Sequence, residues 1–222
     1  MLYLCYMLLK TLIKALDKSK IYDIMMLCHY IILGGGILAD SNITKRALAS
    51  AMKELMASVP FSKISVGDIC EKCEMNRKSF YYHFRDKYDL VNWIFNSEFI
   101  MRTPSKMYSN EWDFISDICT YFYDNRAFYS KALLIEGQNS FLEYFKDVLV
   151  AILNEYMKGY FSNKENQDFY ITFYTDAFVA SIVRWLKDKN CMPAEQYVVL
   201  LRSCIEDLAV KIVNTLPENA RE

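Results

Sequence analysis

Glycine and proline are scarce in this sequence, with six and four residues among 222. Sheets of many short strands need frequent glycine and proline turns, so an all-β sandwich is disfavoured. The same low counts exclude collagen-like and linker-rich chains. Apolar residues make up 53% of the sequence. That fraction can offset the entropy lost when the chain orders, which excludes disorder and leaves one or two compact helical domains.

Apolar runs long enough to cross a membrane are also lacking. The two N-terminal runs, Met1–Leu9 and Ile24–Leu33, are shorter than the roughly 18–20 residues that a membrane helix needs. We therefore predict no membrane partner. A helix lying on a membrane surface stays open for this segment, because the apolar residues from Leu9 to Leu16 have helical spacing.

We favour the interpretation that residues 1–40 are an extension absent from the native protein. Gly34, Gly35 and Gly36 require three consecutive GGN codons, which resemble a bacterial ribosome-binding site. Leu38 follows at once, and its codon can be TTG, an alternative start. Initiation there would leave about 185 residues, with only three glycines.

The seven cysteines are scattered, odd in number and not preceded by a secretion signal. This usage indicates reduced thiols in a cytosolic protein. Cys70 and Cys73 form a C-x-x-C pair, which occurs in zinc sites and redox centres. Because the sequence has only two histidines and no second C-x-x-C, we interpret the pair as packed residues of a short helix. We predict no metal and no cofactor.

Charge is distributed unevenly although the net charge is only −1. Residues 41–90 contain nine Lys/Arg and six Asp/Glu, whereas residues 91–222 contain thirteen and eighteen. A basic module before a larger acidic one indicates contact with nucleic acid at one end only. We divide the chain accordingly into a DNA-binding module (41–90), a regulatory and dimerisation module (91–216) and a tail (217–222).

Four helices are predicted from residue 41 onward. Asn42 can cap the first, which ends at Val59-Pro60, and Ser65 can cap a second over residues 66–73. A turn at Glu74-Met75 separates it from a third helix, 76–84, and Asp86 can cap a fourth. Three helices with a tight turn before the last are typical of a helix-turn-helix, whose last helix enters the major groove.

The third helix has an unusual outward face. Phe80 and Phe84 are four residues apart and can both face a core. The outward residues are then Arg77, Lys78, Ser79, Tyr81, Tyr82 and His83. Cationic, hydroxyl and aromatic side chains together suit phosphates and base edges, although an ordinary solvated helix is the alternative.

Residues 43–94 resemble the DNA-binding domain of TetR/AcrR-family transcriptional regulators. The block F-Y-Y-H-F-R-D-K-Y-D-L, residues 80–90, is similar to the family pattern L-Y-Y-H-F-x-x-K-x-x-L. The resemblance implies an all-α TetR-like fold, a helix-turn-helix followed by a helical bundle, that binds a palindromic operator in double-stranded DNA as a homodimer. Repression and activation both stay open.

The family pattern also implies roles for individual residues. Val66 and Gly67 would offer backbone N–H groups, and Lys87 would hold a phosphate at the start of the fourth helix. The remaining DNA contacts would come from the third helix, through Arg77, Lys78, Ser79, Tyr81, Tyr82 and His83. Glu74 departs from the pattern, because the family usually has glycine in this turn and glutamate tolerates a left-handed conformation poorly.

The rest of the chain has neither a strand signal nor a catalytic motif. We predict helices over residues 87–102, 110–124, 125–136, 139–161, 167–188 and 193–215. A glycine-rich phosphate loop and a Ser/His/Asp constellation are both missing, so we predict that the protein is not an enzyme. The dense aromatic residues indicate a core and a dimer interface, with an aromatic ligand pocket as the alternative.

The last two helices carry the predicted dimer interface, because the resemblance implies a four-helix contact between two copies. Its residues are Phe173, Ala177, Ala180, Arg184, Leu201, Cys204, Ile205 and Leu208. A helical adaptor that binds an enzyme or a kinase-like protein through this second domain is the alternative function.

The C-terminal half is similar to a narrower group, the DhaS-type regulators of dihydroxyacetone kinase operons. The similarity lies in residues 118–145, 176–186 and 189–201. It implies a small-molecule or protein effector. Polar groups that can contact such an effector, or simply cap helices, are Asn125, Arg126, Gln138 and Asn139.

Overall fold

The computed structural model describes residues 39–105, 111–156 and 164–215, which form nine α-helices and no strand. The predicted all-α class is confirmed over these residues. The prediction about residues 1–40 falls almost wholly outside them, and so does the tail.

The N-terminal module consists of α1 (Ala39–Ser58), α2 (Val66–Lys72) and α3 (Arg77–His83), followed by α4 (Lys87–Glu98). A short 3-10 helix, Phe61–Lys63, joins α1 to α2. The first helix packs against each of the other three. This is the predicted helix-turn-helix arrangement, with α3 as its last helix.

One expectation for α1 is wrong. The helix begins at Ala39, so Asn42 lies inside it and does not cap it. Ile43, near the start of the helix, is 70% exposed. The buried face starts one turn later, at Leu48, and continues through Met52 and Met56 at the four-residue spacing of one helix side.

The regulatory module contains α5 (Glu111–Asp124), α6 (Arg126–Ala132), α7 (Phe141–Tyr156), α8 (Lys164–Lys187) and α9 (Ala194–Thr215). Helix α4 was expected to reach residue 102 but ends at Glu98. The chain tightens there into a 3-10 helix, Ile100–Ser105. Pro104 has no N–H to donate to the Ile100 carbonyl, so an α-helix cannot continue through this segment.

Aromatic rings fill the centre of the molecule. Phe95 of α4 is fully buried, and its ring centroid lies within 6.5 Å of those of Phe122, Tyr129, Phe141 and Phe145. These side chains belong to one buried cluster that runs from α1 to α9. The arrangement supports the interpretation of these aromatic residues as core.

Among the described helices, none combines the length and the apolar composition required to cross a membrane.

Candidate nucleic-acid interface

Helix α2 begins with a complete capping box, which confirms Ser65 as its cap. The Ser65 hydroxyl accepts a hydrogen bond from the Asp68 N–H at 3.2 Å, and the Asp68 carboxylate accepts one from the Ser65 N–H at 2.7 Å. The hydrogen bonds that the Asp68 carboxylate accepts from Ser65, the backbone N–H first, lower the pKa of Asp68, because they favour its charged form. Val66 and Gly67 occupy the first two positions of the capped helix.

A Schellman motif ends α2 at the predicted turn. The Glu74 N–H donates to the Glu71 carbonyl at 3.2 Å, and the Met75 N–H donates to the Cys70 carbonyl at 2.8 Å. This motif requires a left-handed residue, usually glycine. Glu74 fills that position with a φ of 56°. The residue that departs from the family pattern thus adopts the conformation that glycine normally supplies.

Asn76 caps helix α3, and two inward phenylalanines anchor it as predicted. The Asn76 side-chain oxygen accepts a hydrogen bond from the Ser79 N–H at 2.8 Å. On the inner side, Phe80 is fully buried, and Phe84, the residue that ends the helix, is 3% exposed. Because these two rings lock the rotation of α3, its opposite side must face solvent.

The exposed side of α3 carries the predicted DNA contacts. Tyr82 is 81% exposed and Tyr81 is 58% exposed, while Arg77 and Lys78 also lie at the surface. Large exposed aromatic rings lose the hydrophobic stabilisation that burial would give them. Their position beside two cations on one short helix is the arrangement expected of a surface that contacts another molecule.

Ser79 and His83 are less accessible than their neighbours. The Ser79 hydroxyl donates to the Asn76 side-chain oxygen at 3.2 Å, so its proton is already engaged. His83 is half-buried, and burial together with the positive charge of Lys45 lowers its pKa. The lowered pKa favours the neutral imidazole, which can both donate and accept a hydrogen bond.

Gly67 lies directly beneath the Arg77 side chain. A Cβ atom built on Gly67 would stand 2.6 Å from an Arg77 guanidinium nitrogen and 3.3 Å from the Ser65 hydroxyl. The absence of a side chain at Gly67 thus lets the guanidinium lie across the start of α2. The two elements of the helix-turn-helix present their predicted DNA contacts side by side.

Lys87 makes contacts that the sequence did not predict. Its ammonium donates hydrogen bonds to the carbonyls of Phe61 and Ile64 at 2.8 and 2.7 Å, and it lies 4.4 Å from the centre of the Phe61 ring. Burial lowers its pKa. Two of its three N–H groups are therefore engaged within the protein, and only the third is left for the predicted phosphate contact.

Lys45 is a residue that sequence reasoning missed. It extends from α1 to within 5.9 Å of the Trp93 ring centre and is close enough to His83 to influence its pKa. This places a cation beside the end of α3. The sequence holds no signal for this proximity, because it depends on how α1 packs across α3.

The predicted dimer residues lie on the surface of the two long C-terminal helices. On α8, Phe173 is 57% exposed and stacks on the Phe169 ring at 6.4 Å, and Ala177, Ala180 and Arg184 follow on the same side. On α9, Cys204 and Ile205 are exposed and Leu201 is half-buried. The Leu208 side chain lies outside the described residues.

Trp185 and Tyr197 join α8 to α9. Their rings stack with a centroid distance of 4.1 Å, and the Tyr197 hydroxyl donates to the Ser181 hydroxyl at 2.7 Å. Burial raises the pKa of Tyr197 to about 12. These three side chains bind the two helices within one copy of the chain.

The four candidate effector contacts separate into two pairs. Asn125 and Arg126 are used internally: the Asn125 amide donates to the Tyr121 carbonyl, and Arg126 donates to the Leu186 and Asp188 carbonyls. Gln138 and Asn139 instead line a polar cleft of about 180 Å³ between α4 and α7. An effector site stays a prediction, now limited to the second pair.

The C-x-x-C pair is packed as a helix face. Cys70 is 3% exposed, and the half-buried Cys73 thiol donates to the Ile69 carbonyl at 3.2 Å. Burial raises the pKa of both thiols, which keeps them protonated and unreactive. Among the described residues, no three His, Cys, Asp or Glu side chains are grouped so that they could hold a metal ion.

Two family profiles match this chain. The profile described as "Bacterial regulatory proteins, tetR family" matches residues 48–94, which include the helix-turn-helix. The profile described as "Transcriptional regulator C-terminal region" matches residues 110–207. A curated relative is the "HTH-type dhaKLM operon transcriptional activator DhaS" of Lactococcus lactis subsp. lactis (strain IL1403). It is 28% identical over 181 residues, which are 81% of this chain and 91% of the relative.

Solved structures are similar to this protein over about three quarters of its chain. The "Dihydroxyacetone kinase operon activator DhaS" is 25% identical, with a TM-score of 0.51, over 74% of this chain and 97% of the other. A TetR transcriptional regulator from Streptococcus agalactiae 2603V, 21% identical, has a TM-score of 0.59 over 75% and 95%. The NalD repressor of Pseudomonas aeruginosa, 16% identical, has a TM-score of 0.54 over 77% and 97%. The last two likenesses show the fold alone, and the predicted TetR-like fold is confirmed.

Proposed function

Because the chain belongs to the TetR family of bacterial transcriptional regulators, we propose that it binds a palindromic operator in double-stranded DNA as a homodimer. The observation that carries this proposal is the outer side of α3, where Arg77 and Lys78 lie beside the exposed rings of Tyr81 and Tyr82. Guanidinium and ammonium groups bind phosphates and guanine edges, and tyrosine hydroxyls bind phosphates. We also propose minor contacts from Ser79, His83, Lys87 and the backbone N–H groups of Val66 and Gly67.

The dimer is part of the same proposal. One helix-turn-helix makes too few contacts for tight, specific binding, whereas two copies can hold two half-sites one helical turn apart. The exposed stripe of Phe169, Phe173, Ala177 and Ala180 on α8 supports a contact between two copies. An isologous interface needs one such self-complementary patch on each subunit. We propose that Leu201, Cys204, Ile205 and Leu208 of α9 complete it.

We further propose that the protein acts in the cytoplasm. The described cysteines, Cys70, Cys73, Cys119, Cys191 and Cys204, are all free thiols. Free thiols persist in a reducing compartment, which in bacteria is also where DNA lies.

Binding to the DNA upstream of the protein's own gene tests this function. We expect specific binding that weakens steeply between 50 and 200 mM salt, because phosphate contacts release counterions. Arg77→Ala and Tyr81→Ala should each weaken specific binding by about tenfold or more, the loss of roughly 1–3 kcal/mol per base contact. Fluorescence anisotropy with a labelled duplex measures both effects.

Arg202→Ala is the matched control, because Arg202 is an exposed arginine of α9 that pairs with Glu206. It should bind the duplex like the wild type, and circular dichroism should show all three variants folded. If Arg77→Ala and Tyr81→Ala both bind the duplex with wild-type affinity, α3 is not the recognition helix.

A further inference from the structure

Helix α1 ends without a basic residue of its own to cap its last turn. The final carbonyls of a helix have no partner within the helix and are satisfied by water or by another group. In α1 the missing partner comes from the regulatory module. The Lys131 ammonium on α6 donates to the carbonyls of Met56 and Ala57, both at 2.6 Å.

The charge of Lys131 is compensated by these carbonyls and by the negative end of the α1 dipole. No carboxylate pairs with it among the described residues. The Lys131 side chain itself lies at the surface. Its two hydrogen bonds connect α6 directly to the end of α1.

A second polar connection joins the two modules further along α1. The Lys53 ammonium pairs with Glu98 of α4, whose carboxylate accepts a hydrogen bond from the Tyr121 hydroxyl at 3.0 Å. The Tyr121 hydroxyl in turn lies 2.7 Å from that of Tyr129 on α6. Both connections end on α6, so this short helix is held to α1 at two points.

One buried apolar cluster that runs from α1 to α9 holds the two modules together. Hydrophobic burial is non-directional, so it specifies their relative orientation less sharply than hydrogen bonds do. Hydrogen bonds to two carbonyls at one helix end are directional. In addition, α1 ends at Ser58, two residues before Pro60, where the chain turns into the 3-10 helix that leads to α2.

The contact is also open to change, because it lies at the edge of a groove of about 530 Å³. Lys131 lines this groove together with Val59, Pro60, Leu134 and Glu136. Leu134 is 47% exposed, so the groove is not sealed within the core. The Lys131 bonds can break and form again without repacking of the buried rings.

We propose that Lys131 is a positioning residue: its two bonds to α1 set the orientation of the helix-turn-helix relative to the regulatory module. The next step rests on the proposed function. In the proposed dimer, the orientation of each helix-turn-helix sets the distance between the two recognition helices. Lys131 does not touch DNA in this arrangement. It determines which spacing between operator half-sites the dimer accepts.

The first test needs no DNA. Residual dipolar couplings of the backbone amides report the orientation of each module in the intact protein. One alignment tensor should fit both modules of the wild type, whereas Lys131→Met should require two. Lys131→Arg keeps donors for the two carbonyls and should restore the single tensor.

Lys146→Met is the matched control, because Lys146 pairs with Asp176 at 3.0 Å entirely within the regulatory module. It should leave the single tensor unchanged. A single tensor in Lys131→Met as well would overturn the inference. So would loss of the fold in both Lys131→Met and Lys131→Arg, since that would show a purely structural role.

The second test measures affinity for operators whose half-sites are moved apart or together by one and two base pairs. Wild-type protein should prefer one spacing. Lys131→Met should lose roughly tenfold at that spacing and little at the others, a coupling of ordinary size. Affinity for an isolated half-site should stay the same.

The outcomes separate this inference from the proposed function. A wild-type protein that binds no DNA, combined with two tensors in Lys131→Met, would reject the operator-binding function and leave the positioning role standing. An unchanged spacing preference in Lys131→Met would reject the positioning of the recognition helices, whatever the wild-type affinity.

Discussion

At the scale of single residues, Glu74 holds the least favourable backbone conformation in the candidate interface. A non-glycine residue with a φ of 56° is strained by about 1 kcal/mol or more, because its Cβ approaches the following carbonyl. Glycine removes this strain but adds up to about 1 kcal/mol of unfolded-state entropy. We expect Glu74→Gly to raise the free energy of unfolding by up to about 1 kcal/mol and Tm by roughly 2–4 °C.

The control for Glu74→Gly is the same change at Glu71, an exposed position inside α2. Glycine at a helical position should lower stability by about 1 kcal/mol. Urea denaturation of the two variants and the wild type gives the comparison. Equal destabilisation by both substitutions would show that Glu74 carries no strain.

His83 makes stability depend on pH within a narrow window. Burial and Lys45 lower its pKa in the folded protein, while the unfolded chain keeps the ordinary value of about 6.5. Below pH 6.5 the unfolded state therefore binds more protons, and the free energy of unfolding falls as the pH is lowered. We expect this loss between pH 7 and the lowered pKa, and we expect His83→Asn to reduce it.

Urea denaturation at pH 7.5, 6.5 and 5.5 measures this slope. The pKa values of Glu54 and Asp68 are also lowered, but their ordinary values lie near 4. These two carboxyls therefore change the free energy of unfolding only at a lower pH than His83 does. If His83→Asn keeps the wild-type slope of unfolding free energy against pH, a group other than His83 causes the pH dependence.

At the scale of single helices, the candidate site was predictable wherever its determinants are local. Ser65 and Asn76 act as caps through the amides two or three residues ahead of them, so their spacing alone identifies them. The burial of Phe80 similarly follows from helical periodicity. The start of α1 was placed wrongly because Asn42, a good capping residue, is equally compatible with a helix interior.

The contacts of lysines were not predictable, because they join residues far apart in the sequence. Lys87 contacts carbonyls 23 and 26 residues earlier, and Lys131 contacts carbonyls about 75 residues earlier. A lysine near a helix end has the same local signature whether it meets solvent, a phosphate or a remote carbonyl. Only the packing of α1 against α4 and α6 distinguishes these cases.

At the scale of the whole molecule, the exposed side of α8 is the proposed contact that would bring two copies, and with them two recognition helices, together. Phe169 and Phe173 are 68% and 57% exposed, and complete burial of a phenylalanine is worth roughly 1.5–3 kcal/mol. Ala177 and Ala180 are small enough to let a second helix approach closely. A stripe of this composition is depleted of charge, as the core of a protein interface is.

Phe173→Glu should therefore separate the dimer. The carboxylate would be buried opposite its own symmetry mate, so two like charges would lose their hydration together. We expect a monomer of about 26 kDa by size-exclusion chromatography with light scattering, with its helical circular dichroism retained. Specific operator affinity should fall at least 100-fold, because one helix-turn-helix then binds one half-site.

Thr120→Glu is the matched control, because Thr120 is an exposed residue of α5, away from the α8 stripe. It adds the same charge and should leave both mass and affinity at wild-type values. A dimeric Phe173→Glu protein with normal affinity would place the interface on another surface. A monomeric wild type would instead mean that the α8 stripe binds a different partner, which is what the adaptor alternative requires.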